Sequence, residues 1–175
     1  MEYSKEFRIR LKEEIIADEG SVLKVYRDHL GYFTVGVGHL ILPSDEEWGV
    51  GEGTPITQTR ADELLFHDLG NVLKECENAF SNSWPDWMPN PDNKWENWPE
   101  EVKLIVANMA FNLGLPKLKK FKKMLTAINM KDYVKASKEG LDSRWAKQVY
   151  NRAHRLMGRM RAIDSIDNVV GLGYN

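Results

Sequence analysis

The spacing of the hydrophobic residues changes twice within the first 80 positions, and this change limits the folds open to the chain. Residues 3–17 place Phe7, Leu11 and Ile15 four positions apart, which makes one apolar stripe along a helix. Between residues 22 and 42 the apolar residues are β-branched or aromatic and are interrupted by turn residues, as in short antiparallel strands. Helical spacing returns after residue 58. These changes predict an α+β fold with a small antiparallel sheet among helices.

The rest of the chain is predicted to be helical. Thr57 or Thr59 is placed to cap a long helix, whereas the prolines and tryptophans of residues 79–98 predict a loop. Five further helices are predicted at 99–113 and at about 117–128, 131–139, 142–149 and 151–161. We predict one domain, 1–175, made of a small lobe at about 18–58, a connecting helix at about 58–78, the tryptophan- and proline-rich loop 79–98, and a helical lobe at about 99–161 that includes the N-terminal helix 3–17.

Several classes of protein are excluded by what the sequence lacks. The first twenty residues have no apolar core or small-residue cleavage site, and no later segment approaches about 18 consecutive apolar residues, so synthesis in a cytoplasm without stable membrane insertion is expected. The only cysteine, Cys76, rules out an internal disulfide and is predicted to be buried. The histidines have no metal-ligand spacing, so neither a metal nor another cofactor is expected.

Charge is distributed unevenly along the chain. Residues 1–100 carry 9 Lys and Arg against 20 Asp and Glu, whereas residues 101–175 carry 15 against 6. A basic half is compatible with a nucleic acid, an anionic membrane, a polyanionic cell wall or a simple solvated surface. Residues 117–123 contain one aromatic residue, Phe121, and no groove-reading or base-stacking motif, so nucleic acid is not the expected partner.

Two carboxylates and a hydroxyl lie close together in the first quarter of the chain. Glu19 is at the predicted end of the first helix, where the helix dipole disfavours a negative charge and so favours the protonated form that a general acid needs. Asp28 lies nine residues later, in the predicted hairpin turn, and Thr34 follows on the returning strand. Hydrolysis of a glycosidic bond requires one protonated carboxylic acid and a second carboxylate that stabilises charge or activates water.

With its flanking residues, this segment resembles the phage-type lysozymes (endolysins) of glycoside hydrolase family 24. The resemblance begins with DEG at 18–20, KVYRD at 24–28 and GYFTVGVGHL at 31–40. It continues through the segment from IT at 56–57 to FHD at 66–68, and then through NMAFNLG at 108–114, SRW at 143–145 and NRA at 151–153. It covers most of the chain except the termini and the tryptophan-rich loop.

The resemblance implies a lysozyme-like fold and a muramidase that cuts the β-1,4 bond between N-acetylmuramic acid and N-acetylglucosamine in bacterial peptidoglycan. It implies that Glu19 is the general acid, that Asp28 and Thr34 hold the attacking water, and that Leu40 and Phe111 line the sugar-binding cleft. The water-holding pair predicts inversion at the cleaved bond.

Three supporting residues are expected. Asn151 is predicted to cap the last helix, which leaves Arg152 in its first turn, where a cation is unfavourable. The resemblance implies that an ion pair with Glu19 compensates for this position. His39 is expected to be a structural histidine, with Asp68 as its partner.

The substrate contacts outside the catalytic residues are less well defined by the sequence. Met124 and Glu139 stand where the family has small or neutral polar groups that contact the sugar, so these substrate contacts are expected to differ. The loop tryptophans either stack on sugars or pack against their own lobe, and packing is the expected outcome. These residues are Trp84, Trp87, Trp95 and Trp98.

The expected role is lysis of a bacterial host by a phage. A monomer would remain in the host cytoplasm until a holin-like pore admits it to the periplasm and the cell wall. The same activity in a virion or between competing bacteria is an alternative, as is a non-catalytic wall-binding module. A module of that kind would not need both Glu19 and Asp28.

Overall fold

The computed structural model describes residues 2–83 and 85–170, with side chains up to residue 163. The chain divides into two compact units. Tyr3–Leu73 form the first, which we call the sheet unit, and the helical unit contains the described residues from Lys74 onward. The elements in chain order are α1 (Lys5–Glu19), β1 (Val22–Arg27), β2 (Phe33–Gly36), β3 (His39–Leu40), α2 (Gln58–Glu77), α3 (Glu100–Leu113), α4 (Leu115–Leu118), α5 (Lys122–Asn129), α6 (Tyr133–Leu141), α7 (Arg144–Gln148) and α8 (Tyr150–Val170). The predicted α+β class is confirmed.

The sheet is antiparallel, in the order β1-β2-β3. Tyr26 of β1 lies opposite Thr34 of β2, and Thr34 lies opposite Leu40 of β3. Side chains alternate between the two faces of a strand, so these three residues form one row on one face. Val25 and Val35, their neighbours in sequence, pack on the other face in an apolar cluster with Ile41 and Leu64.

The outer edge of β1 is also hydrogen bonded. The amide of Val25 donates to the Thr54 carbonyl at 2.8 Å, and the amide of Ile56 donates to the Leu23 carbonyl at 3.0 Å. The loop that leads to α2 thus covers an edge that would otherwise expose unpaired backbone groups. Thr57 then caps α2 by accepting a hydrogen bond from the Arg60 amide at 3.1 Å.

The N-terminal helix belongs to the sheet unit, not to the helical lobe as the sequence analysis expected. Leu11 of α1 borders the same apolar groove as Leu69 and Leu73 of α2. Lys12 forms an ion pair with Asp62 at 2.9 Å. An amphipathic helix packs wherever its apolar stripe is best buried, and sequence periodicity does not identify that surface.

Two details of the predicted helices are wrong. The predicted helix at 117–128 is divided into α4 and α5 by a turn at Lys119–Phe121, where the amide of Phe121 donates to the Leu118 carbonyl at 2.9 Å. Asn151 is not a cap, because α8 begins one residue earlier, at Tyr150. Capping preference is a weak signal where two helices are separated by a single residue, as α7 and α8 are.

The predicted loop 79–98 contains a π-helical turn at Asn78–Asn82 and a 3-10 turn at Trp95–Asn97. Trp95 and Trp98 are buried and pack against each other and against Phe80. Asn129 holds the segment by donating hydrogen bonds to the carbonyls of Asn90 and Asn93 at 2.8 and 3.0 Å. These two tryptophans are packing residues, as expected; Trp87 is half-buried, and Trp84 lies outside the described residues.

Over the ranges that the structure describes, no helix combines the length and apolar character needed to cross a bilayer. Cys76 is buried, as predicted, and burial raises the pKa of its thiol to about 12.

His39 is buried between two carboxylates in the sheet unit. Its Nδ1 lies 2.8 Å from Oδ2 of Asp68 on α2, and its Nε2 lies 3.0 Å from Oδ2 of Asp45. The hydrogen bond to Asp68 raises the pKa of His39 to about 9 despite its burial, so the ring is an imidazolium at neutral pH. It holds β3 against α2 and against the loop after residue 42.

We predict that His39→Asn lowers the free energy of unfolding by about 3 kcal/mol at pH 6, because a pKa raised from 6.5 to about 9 corresponds to that order of energy. The stabilisation is complete below pH 6.5 and is lost as the pH rises through about 9, so the difference from wild type should shrink towards pH 10. Urea unfolding at both pH values measures it. His29→Asn, at an exposed histidine, is the control. An equal loss at pH 6 and pH 10 would show that His39 acts through packing alone.

Candidate active site

The turn between β1 and β2 is organised by Asp28. One of its carboxylate oxygens, Oδ1, accepts hydrogen bonds from the amides of Leu30 and Tyr32, each at 2.9 Å. The Gly31 amide donates to the Asp28 carbonyl at 2.9 Å, and Gly31 has a φ of 87°, which suits a residue without a Cβ. In the described part of the chain, the other oxygen, Oδ2, accepts no hydrogen bond. The carboxylate thus holds the turn with one oxygen and leaves the other for a ligand.

Thr34 is buried on β2 and is tied to the same turn. Its hydroxyl donates to the Tyr32 carbonyl at 3.1 Å, and that carbonyl also accepts from the Asp28 amide at 2.9 Å. Because the hydroxyl proton is used within the turn, Thr34 offers lone pairs to any molecule bound beside it. The backbone of Tyr32 therefore connects Asp28 and Thr34.

Glu19 is the last residue of α1 and is exposed. Gly20 follows it with a φ of 74° and donates its amide hydrogen bond to the Ile16 carbonyl at 2.9 Å, which ends the helix. The structure thus places Glu19 at the negative end of the helix dipole, as the sequence predicted.

The phenol of Tyr26 interacts electrostatically with both Asp28 and Glu19. Burial raises the pKa of its phenol, and the negative charges of Asp28 and Glu19 raise it further. Both carboxylates are therefore close enough to oppose a charge on Tyr26. Of the residues predicted from sequence, Glu19, Asp28, Thr34 and the half-exposed Leu40 all lie around Tyr26 or in its row of the sheet.

Two other predicted residues, Phe111 and Arg152, lie in the helical unit. Phe111 is on α3 and is half-buried. Arg152 is buried in the first turn of α8, where its Nε donates to Oδ1 of Asn108 at 2.8 Å and its NH2 group donates to the Asn108 carbonyl at 3.2 Å. A neutral amide and a carbonyl thus bind a guanidinium in the helix position that disfavours a cation.

A groove of about 820 Å³ opens on the helical unit. Met124 and Glu139, which the sequence analysis expected to make different substrate contacts, both border it, together with Phe121 and Trp145. The indole N–H of Trp145 donates to Oδ1 of Asn112 at 2.8 Å, which fixes the orientation of the ring. Most of the other residues that border the groove are cationic: Lys117, Lys120, Lys122, Lys123 and Arg144.

Sequence reasoning missed three participants. Asp45 lies in a loop rich in acidic residues, where nothing distinguishes it from its neighbours. Asn108 interrupts the apolar stripe of α3, and a polar residue at a core position is a signal that it binds something buried. Tyr26 lies in a short apolar segment, and only the alternation of β1, which places it on the face opposite Val25, distinguishes it from the core residues.

The arrangement in the sheet unit is suited to hydrolysis with an acid and a bound water. It offers a carboxyl group at a helix end, a carboxylate with one oxygen unoccupied, and a hydroxyl that presents lone pairs. Within the described residues, no group of His, Cys, Asp and Glu is arranged to hold a metal ion.

Comparison with known proteins agrees with this chemistry. The chain is 31% identical over 163 residues to "Probable T4-type lysozyme 1" of Dictyostelium discoideum, covering 84% of this chain and 91% of that protein. It is 26% identical over 155 residues to "Probable T4-type lysozyme 2" of the same organism, with the same coverage. It is also 32% identical over 161 residues to the pre-baseplate central spike protein Gp5 of Enterobacteria phage T4. That match covers 83% of this chain but 26% of the spike protein, so the chain corresponds to part of it.

The model of the phage lysozyme family matches residues 17–162, which include every predicted site residue. With the expected small antiparallel sheet, and with Glu19, Asp28 and Thr34 in the same unit, the chain belongs to the phage lysozyme family and is a peptidoglycan glycosidase of the lysozyme type.

Proposed function

We propose that the chain hydrolyses the β-1,4 bond between N-acetylmuramic acid and N-acetylglucosamine with inversion, using Glu19 as the general acid and a water held by Asp28 and Thr34. The observation that supports this most is the division of labour in the turn. Asp28 accepts backbone hydrogen bonds with one carboxylate oxygen and leaves the other unoccupied. The Thr34 hydroxyl donates its hydrogen bond to the Tyr32 carbonyl.

A water beside these two groups meets only acceptors. It donates one hydrogen to Oδ2 of Asp28 and the other to Oγ of Thr34, which leaves its lone pairs directed away from both. That orientation suits attack on the anomeric carbon, and the ionised Asp28 accepts the proton that the water loses. A nucleophilic Asp28 would attack directly and would give Thr34 no evident task.

Glu19 supplies the proton for the leaving oxygen in this scheme. It is the last residue of α1, so its carboxyl group lies at the negative end of the helix dipole. We assign Leu40 and Phe111 to the lining of the sugar site. The ion pair between Arg152 and Glu19, implied by the family resemblance, stays a prediction.

We expect Glu19→Gln to lower the release of reducing ends from purified peptidoglycan by at least about 100-fold, because general acid catalysis contributes about 10²–10⁴-fold and an amide has no proton to give. The variant should unfold at or above the wild-type temperature, since removal of a functional charge rarely harms the fold. Glu13→Gln, on an exposed residue of α1, is the matched control. Glu19→Gln activity above a tenth of wild type would remove Glu19 from this role.

Inversion predicts that the first reducing ends released from the β-linked glycan are α-anomers. Proton NMR within the first minutes, before mutarotation, distinguishes the two anomers. Initial β-anomer would mean retention, and Asp28 would then be a nucleophile and not a group that holds water.

We further propose that a phage uses the chain to lyse its host. The protein, a monomer, would stay in the host cytoplasm until a holin-like pore gives it access to the periplasm and the wall. The similarity to the spike protein Gp5 favours a second candidate, an enzyme carried by the virion.

Expression in a Gram-negative cytoplasm tests the first role. Growth should continue when the chain is made alone, and lysis should follow once a pore-forming membrane protein is co-expressed, whereas Glu19→Gln with the same pore should give no lysis beyond that of the pore itself. Rapid lysis without the pore would contradict the need for a holin. Detection of the chain by mass spectrometry in purified particles would assign it to the virion.

A further inference from the structure

Tyr26 is the one residue of the sheet row that has no role in the proposed chemistry. It lies directly opposite Thr34 in the β1-β2 ladder, and Thr34 in turn lies opposite Leu40. Directly opposed residues of antiparallel strands have Cβ atoms about 4.5–5.5 Å apart. The Tyr26 side chain is therefore adjacent to the hydroxyl assigned to the water, and Leu40 lies one strand further along the same row.

Tyr26 does not belong to the apolar core of the sheet unit, which packs on the opposite face of β1. Val25 is fully buried in the apolar cluster with Val35 and Ile41, whereas Tyr26 on the other face is half-buried. Among the described residues, no side chain or carbonyl accepts a hydrogen bond from its phenol. The phenol is therefore open to an acceptor on a bound ligand.

Two groups near Tyr26 present acceptors. Asp28 has a carboxylate oxygen that the turn does not use, and Thr34 presents lone pairs because its proton is donated to the Tyr32 carbonyl. Burial and the charges of Asp28 and Glu19 raise the pKa of Tyr26 above its usual value of 10, so the phenol is protonated at neutral pH. It is thus a neutral hydrogen-bond donor beside two acceptors.

We infer that the Tyr26 hydroxyl donates a hydrogen bond to an oxygen of the sugar whose bond is cleaved and so orients that sugar between Glu19 and the bound water. This inference rests on the proposed function. An acceptor on the sugar, such as the N-acetyl carbonyl or a ring hydroxyl, is the chemical partner that a neutral donor at this place selects. The bond positions the reacting carbon, so its loss should lower kcat more than it raises KM.

The test compares Tyr26→Phe with Tyr150→Phe, which removes the hydroxyl of an exposed tyrosine on α8. On a soluble peptidoglycan oligosaccharide, Tyr26→Phe should lower kcat by about 10- to 100-fold with a smaller change in KM and an unchanged melting temperature. Tyr150→Phe should match wild type. A Tyr26→Phe kcat within twofold of wild type overturns the inference, whatever its KM.

A second measurement does not depend on activity. With ¹³Cζ-labelled tyrosine, NMR titration should show the pKa of Tyr26 falling towards 10 in Glu19→Gln and in Asp28→Asn, because each removes a charge that opposes the phenolate. An unmoved titration in both variants means that the phenol does not face the two carboxylates, which also overturns the inference.

The two proposals fail differently. If Glu19→Gln remains active, the assignment of the general acid is wrong. If Glu19→Gln is inactive while Tyr26→Phe turns over like wild type, the catalytic assignment stands and the role of Tyr26 is wrong.

Discussion

The imidazolium of His39, buried between Asp45 and Asp68, fixes the position of the shortest strand in the sheet unit. β3 is two residues long and has too few ladder hydrogen bonds to hold its own position. His39 fastens it to α2 and to the loop that follows, and Leu40 is its neighbour in sequence. The geometry of the row Tyr26, Thr34 and Leu40 therefore depends on a charge that lies outside the row.

The two carboxylate oxygens of Asp28 have different tasks: Oδ1 holds the turn, and Oδ2 is left for a ligand. A carboxylate that accepts two backbone amides is held rigidly, and rigidity is what a water-holding group requires. In the proposed mechanism, turn formation and water binding thus use the same side chain without competing for the same oxygen.

Much of the sheet unit was predictable because local rules decide it. The end of α1 before Gly20, the turn at Asp28 and the Thr57 cap each follow from nearby residues, and the pairing of His39 with Asp68 was also expected. Prediction failed where packing decides. The break at Phe121 and the packing of α1 in the sheet unit depend on neighbouring helices, which a local pattern does not describe. Asn108 interrupts an apolar stripe, which indicates a buried partner, but its pairing with Arg152 depends on a helix distant in sequence.

Met124 and Glu139, whose substrate contacts are expected from the family resemblance to differ, both border the groove of the helical unit. The other charged borders of this groove are mainly lysines. A buried thioether offers little hydrogen-bonding capacity, whereas a carboxylate places a negative charge among these cations. Asp28 and Thr34 instead lie in the sheet unit, where the turn after β1 holds them. In the proposed function, substitutions in the groove would therefore change the binding of the wall polymer and leave the turn around Asp28 unaltered.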